Sequence, residues 1–172
     1  MQKFGDAVGR GLGLAGLGGG HEPPSRSTFP LFFHNHWLFL AWCRLFDRCS
    51  AELLSVVFGG PLPESVTIYP PFFTEYGLNT TFGENVFVNQ GCTFMDKGGI
   101  RIGNGVMIAP KVSLITGGHP LPLAERREYL SFAPIVIEDD VWIGTAGAVV
   151  TRDVPARTVV AGVPARVIKK ID

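Results

Sequence analysis

From Val66 onward, apolar residues recur every six positions, and Gly, Asn or Asp fill the second to fourth places of each unit. Val88, Phe94, Ile102, Ile108 and Leu114 form one series, with a two-residue slip between Phe94 and Ile102. Ile137, Ile143 and Val150 resume it after a break. Three units read alike: FGENVF at 82–87, IGNGVM at 102–107 and IEDDVW at 137–142. A period of six is the mark of a β-solenoid. A short strand and a sharp turn repeat three times per coil, and the first apolar residue of each unit points into a narrow triangular core. Asn and Gly suit the turns because they tolerate left-handed backbone. An antiparallel sandwich would alternate every two residues over longer strands. The pattern therefore predicts a mainly β fold, a hexapeptide-repeat solenoid over residues 64–172.

The chain before it has a different texture. Leu38, Trp42, Leu45, Phe46, Cys49, Leu53 and Val56 lie near helical spacing, with Arg44, Asp47, Arg48 and Glu52 between them. This predicts one or two amphipathic helices over 36–57, inside an apolar N-terminal segment at 31–63. Its longest apolar run without a charged residue, 29–43, is 15 residues and carries His34, Asn35 and His36; a membrane span needs about 20 apolar residues. The set His34, His36, Cys43 and Cys49 matches no common zinc spacing, and core packing accounts for the cysteines, so no metal is expected. Eight glycines fall in residues 1–20, and Pro23, Pro24 and Pro30 follow. Residues 1–30 read as a disordered segment, because glycine has the most backbone freedom to lose. As a targeting sequence it would be too glycine-rich, with no clear cleavage site.

Composition narrows the function. The 172 residues carry 15 Lys+Arg against 15 Asp+Glu, so no basic excess suggests a nucleic acid partner. The apolar share of 46% excludes a mostly disordered chain. Gly at 22 and Pro at 13 point to many tight turns rather than a helical bundle. Three cysteines, Cys43, Cys49 and Cys92, form no disulfide framework or CxxC pair, so the expected location is the cytoplasm.

The segments 68–96, 100–128, 134–144 and 146–171 together resemble the maltose and galactoside O-acetyltransferases, members of the hexapeptide-repeat acyltransferases. The carrying motifs are PPFFTEYGLN, the GGHP loop, VWIG and AGVPAR. The resemblance covers 64–172. It implies a left-handed parallel β-helix, a homotrimer, acetyl-CoA as donor and a sugar hydroxyl as acceptor.

His119 is the sole histidine of the repeat region, within ITGGHPLPLAERREYLSFAP, which breaks the period of six. A solenoid that interrupts itself places the extra residues in a protruding loop, and such loops often build the binding site. Acyl transfer to a hydroxyl needs a base that accepts a proton as oxygen attacks the thioester, a task suited to histidine. The resemblance gives that role to His119. It makes Asn89 an acceptor-site residue, places Asp96 in the acidic acceptor segment, and puts Glu75 where relatives carry Asp or Ser. On the donor side it assigns Trp142, Thr145, Ala146, Thr151, Arg152 and Arg166 to the coenzyme groove, the two arginines as candidates to face phosphates. A γ-type carbonic anhydrase would need three zinc histidines, and the repeat has one.

Three departures stand out. Where the galactoside enzymes have a second aspartate after the position of Asp96, this chain has Lys97. Residues 1–60 match nothing in the family's N-terminal segment. Between Ile143-Gly144 and Ala146-Gly147, where relatives carry about one further coil, only Thr145 stands. A shorter stack should fold without a gap, since each coil rests only on its neighbours. The donor groove should shorten by about 4.8 Å, one strand spacing. An alternative reading follows: a trimeric relative whose catalysis is impaired by the missing coil and the replaced N-terminus.

Overall fold

The computed structural model describes Ser27–Pro30, Leu38–Leu40 and residues 50–144 and 147–172. Residues 27–30 and 38–40 form strands β1 and β2. Helix α1 (Ala51–Phe58) opens on Ser50, whose side chain accepts from Leu53 N, and closes on Gly59 at φ 73°. Then come β3 (Thr67–Ile68), β4 (Phe72–Thr74), β5 (Thr80–Phe82), β6 (Phe87–Val88), β7 (Thr93–Met95), β8 (Ile100–Ile102), β9 (Met107–Ile108) and β10 (Ser113–Ile115). The remainder are β11 (Gly117–Gly118), β12 (Tyr129–Phe132), β13 (Ile135–Ile137), β14 (Trp142–Ile143), β15 (Val149–Val150), β16 (Thr158–Gly162) and β17 (Ala165–Lys170).

The chain visits three parallel sheets in a fixed order. The first sheet stacks β3, β6, β9, β14 and β16. The second stacks β4, β7, β10 and β15. The third stacks β5, β8 and β13, with Val154 bridging to Ile137. Thr67, Phe87 and Met107 are register partners, so each of these circuits takes twenty residues. Three hexapeptides would take eighteen. The two extra residues are the slip seen after Phe94, and a matching one follows Thr74.

The inward positions are those the six-residue period marks. Val88, Phe94, Ile102, Ile108, Leu114, Ile137, Ile143 and Val150 are at most 2% exposed. The turns agree too. Asn85, Gly105, Asp140 and Arg157 have φ between 53° and 65°. They occupy the same place in successive circuits: the amides of Gly105, Asp140 and Arg157 donate to carbonyls of the neighbouring turn, as Gly105 N does to Glu84 O, and Asn85 N donates to Ser65 Oγ.

The junction at 145–146 leaves the stack continuous. β15 pairs directly with β10, and β16 with β14. Trp142 and Val159 are partners, so this circuit takes seventeen residues.

Two expectations for the N-terminal region change. Among the described residues of this region, helix is confined to Ala51–Phe58, while Leu38–Leu40, inside the span expected to be helical, pair antiparallel with β4. The unpaired edge of β4 offers backbone partners, and Leu and Phe suit a strand as well as a helix. Ser27–Pro30, the end of the segment expected to be disordered, pair antiparallel with β12. Residues 1–26 and the cysteines Cys43 and Cys49 lie outside the described residues. Among those described, no helix is long and apolar enough to cross a membrane.

Candidate active site

Three corners stack where the chain leaves the second sheet: after β4 at Glu75, after β7 at Asp96–Lys97 and after β10 at Thr116. Asp96 holds this edge together. It has no exposed surface, and its Oδ1 accepts from Thr74 Oγ1 at 3.2 Å, Tyr76 N at 2.9 Å and Gly77 N at 3.1 Å. Its Oδ2 accepts from Thr80 Oγ1 at 3.0 Å. A buried carboxylate is tolerated only when its oxygens are so supplied. Asp96, expected at the acceptor, is thus sealed inside, where it shapes the Tyr76–Gly77 turn. Gly77, at φ 85°, has no room for a side chain, since a Cβ would meet Val57 O at 2.3 Å. The third corner is tied to the second: Gly98 N donates to Thr116 Oγ1 at 2.9 Å, and the Thr116 hydroxyl donates to Met95 O.

The break in the period of six leaves from this corner. Gly117–Gly118 and Tyr129–Phe132 pair antiparallel, and Ala133 N closes onto Thr116 O at 2.8 Å. The loop they carry is exposed from Leu121 to Glu128. His119, also exposed, stands at its start, and its Nδ1 lies 2.7 Å from Arg126 O. A carbonyl can only accept, so Nδ1 carries the hydrogen. In the neutral ring Nε2 is then a lone-pair acceptor. The Arg126 guanidinium donates back to Leu121 O at 2.7 Å, which braces the loop that orients the imidazole. The Glu125 carboxylate accepts from the Tyr129 hydroxyl and holds that phenol above its ordinary pKa.

Asn89 lies elsewhere. It follows β6, where the chain passes from the first sheet to the second, and its Oδ1 accepts from Gln90 N at 2.8 Å. Within one chain, the whole of β7 separates its corner from that of Lys97 and His119. Glu75 does lie at the His119 edge. Its Oε1 is 2.9 Å from Lys97 Nζ, and its side chain is 8% exposed.

On the donor side, Trp142 points outward from the first sheet, 48% exposed, in register with Met107 and Phe87. Thr151, Arg152 and Arg166 come together around a cavity of about 140 Å³ at the last circuit, beside Val160 and Ala165. Arg166 Nη1 donates to Ala165 O at 2.8 Å. Thr145 and Ala146 lie outside the described residues. Among the described residues, no cluster of His, Cys, Asp and Glu could hold a metal ion.

The pattern of residues did not mark Arg126, Thr74 or Thr80 as participants. Arg126 acts through its carbonyl, which any residue supplies, so only the length of the loop hinted at an anchor. Thr74 sits in a core-facing place that the hexapeptide pattern fills with Phe94 and Leu114; a hydroxyl there was the available sign of a buried acceptor.

This stacked architecture recurs in solved structures. A hexapeptide-repeat acetyltransferase from Vibrio cholerae, crystallised with acetyl coenzyme A, is 33% identical with a TM-score of 0.60, over 70% of this chain and 75% of that one. A maltose O-acetyltransferase from Clostridium difficile 630 is 36% identical with a TM-score of 0.59, over 70% and 74%. The galactoside O-acetyltransferase of Escherichia coli K12 is 38% identical over 128 residues, 63% of this chain and 63% of that protein, so less than two thirds of its length is matched. No family model matches the chain. The identities and coverage place it in a class: it belongs to the hexapeptide-repeat acetyltransferases. Within that class, the galactoside and maltose O-acetyltransferases are among its relatives.

Proposed function

We propose that the protein is an acetyl-CoA-dependent O-acetyltransferase acting on a hydroxyl of a saccharide or similar acceptor, with His119 as general base. The observation that carries this reading is the bond from His119 Nδ1 to Arg126 O, which leaves Nε2 as the proton acceptor on an exposed loop. The acceptor hydroxyl gives its proton to Nε2 as its oxygen attacks the thioester carbonyl. The C–O bond of the new ester forms, the C–S bond breaks, and the proton passes from the imidazolium to the departing thiolate. Trp142 flanks the acetyl end of the donor, Thr151, Arg152 and Arg166 meet its distal part, and the resemblance assigns Thr145 and Ala146 to the same groove.

The cyclic passage through three parallel sheets supports a left-handed β-helix. A homotrimer fits the placement of Asn89 and His119 at opposite edges of the second sheet, since two such edges meet only between copies. Asn89 and Glu75 then serve the acceptor, and Asp96 positions their surroundings from inside. A second reading, a relative with impaired catalysis, rests on the single residue Thr145 that stands between Gly144 and Ala146, where the resemblance leads one to expect about one further coil.

The test is release of free thiol from acetyl-CoA in the presence of a panel of neutral sugars. Sugar-dependent release is expected. Acetyl-CoA binding without release under any acceptor would favour the impaired relative, and absence of binding would reject the enzyme.

A further inference from the structure

The loop that carries His119 stands on β11 and β12, and these two strands share little. Gly117 pairs with Phe132 and Gly118 with Ser131, and there β11 ends. Close approach fixes Gly117 as glycine, since a Cβ there would meet the Phe132 ring at 2.1 Å. Glycine weakens a strand, and a two-stranded ribbon is marginal in water by itself. β12 runs on past the end of β11, through Leu130 and Tyr129. Among the described residues, strand partners for these two come from β1 alone: Phe29 opposite Leu130 and Pro30 opposite Tyr129. β1 is an edge strand of the resulting three-stranded sheet, where a proline is tolerated.

This overhang leads directly to the anchor of the imidazole. Tyr129 opens β12, and its hydroxyl donates to the Glu125 carboxylate. Arg126, beside Glu125, presents the carbonyl that lies 2.7 Å from His119 Nδ1. We propose that β1 is a positioning strand for His119. By pairing with Leu130 and Tyr129 it fixes Arg126 O, and through that carbonyl it holds the imidazole as the Nδ1–H tautomer with Nε2 as the acceptor. An imidazole released from the carbonyl exchanges between two tautomers, and only one of them offers Nε2 as a base. The consequence for rate rests on the acetyltransferase reading; the consequence for the tautomer does not.

The experiment uses the full chain carrying T28P and F29P together. Of two neighbouring strand residues, one points its amide toward the partner strand, so the pair of prolines removes that donor in either case. T28V/F29Y keeps both amides and serves as the conservative control. The first readout is the 15N spectrum of the histidines at about pH 9, where imidazoles are neutral, with His119 assigned by its loss in His119→Ala. Wild type and T28V/F29Y should show His119 as Nδ1–H. In T28P/F29P the signal should move toward the Nε2–H form. The second readout is sugar-dependent thiol release. T28P/F29P should lose about 10-fold or more in kcat, because a small misplacement of a reacting group is costly. Its KM for acetyl-CoA should stay within 2-fold of wild type, and its melting temperature should hold. An unchanged tautomer in T28P/F29P would overturn the proposal, as would an equal shift in T28V/F29Y. Loss of cooperative unfolding in T28P/F29P would overturn it as well, by showing that β1 supports the core rather than the loop. Should wild type release no thiol with any sugar, the acetyltransferase reading fails, and the tautomer still decides the role of β1.

Discussion

The imidazole of His119 and the main chain of Arg126 hold each other across the protruding loop, with Nδ1 2.7 Å from the carbonyl oxygen. The same arginine reaches back to Leu121 O. If Nε2 takes the acceptor's proton, His119→Ala should lower kcat by roughly 10²–10⁴-fold, the usual worth of general-base catalysis. The Kd for acetyl-CoA and the oligomeric state should stay unchanged. Arg126→Ala keeps the carbonyl but loses the brace, so a smaller loss of kcat is expected. Steady-state kinetics on both variants check this, and wild-type turnover by His119→Ala would remove the assignment.

Asp96 is the prediction for stability. Replacing it by Ala strands four donors, three of them buried with Thr74, Thr80 and Gly77. Each unsatisfied buried group costs about 1–3 kcal/mol. Asp96→Ala should therefore destabilise the chain by about 3 kcal/mol or more in urea unfolding. Asn89→Ala, at a turn, should cost well under half as much.

Cys92 gives a pH signature. It has no exposed surface, and burial pushes its thiol up from 9.0 to about 11. Between pH 9 and 11 the unfolded chain loses this proton while the folded chain keeps it, so stability falls as pH rises through that window. The loss is at most about 2.7 kcal/mol. Unfolding free energies of wild type and Cys92→Ala across pH 8–11 should converge as pH rises; parallel curves would contradict the buried thiol.

The donor side yields a length prediction. The circuit from Trp142 to Val159 closes in seventeen residues without interrupting any sheet. A consensus coil inserted after Gly144 should leave the fold intact and tighten acetyl-CoA binding, read as Kd by calorimetry. Equal affinities would mean that the cavity at Thr151, Arg152 and Arg166 already meets the coenzyme in the short stack.

Removing residues 1–30 takes β1 away from β12. The stacked core should keep its melting temperature, since β1 adds to the loop and not to the three parallel sheets. Limited proteolysis within 121–128 should become faster. A large drop in melting temperature would show that the segment supports the core itself.

The repeat was legible because its cause is local: an apolar residue is followed three places later by a left-handed turn, as at Phe82 and Asn85, Ile102 and Gly105, and Ile137 and Asp140. His119 was legible for the opposite reason, since it lies where the interval fails. The burial of Asp96 was not legible because acidic residues at a turn usually face water, and it depends on Thr74 and Thr80, sixteen to twenty-two residues away in sequence. Leu38–Leu40 misled because helical spacing of apolar residues says nothing about a vacant strand edge nearby. The contact of Glu75 with Lys97 joins two corners twenty-two residues apart, a distance no local pattern reports.

The ends of the stack carry a consequence for the protein in bulk. Repeated parallel strands present identical edges at top and bottom, a template for end-to-end fibres. Here β2 lies antiparallel on β4 and β17 antiparallel on β16, so the direction of the backbone reverses at either end of the stack. Beneath the first circuit, Leu54 of α1 joins the core cluster, and the ring of Phe58 lies tilted 6.0 Å from Phe72 and edge-on 5.0 Å from Phe82. A second molecule arriving in the register of the repeat finds, at the β2 edge of the second sheet and the β17 edge of the first, a strand running the wrong way, and beside α1 an aromatic plug. The solenoid thus carries a terminator on one sheet at each end.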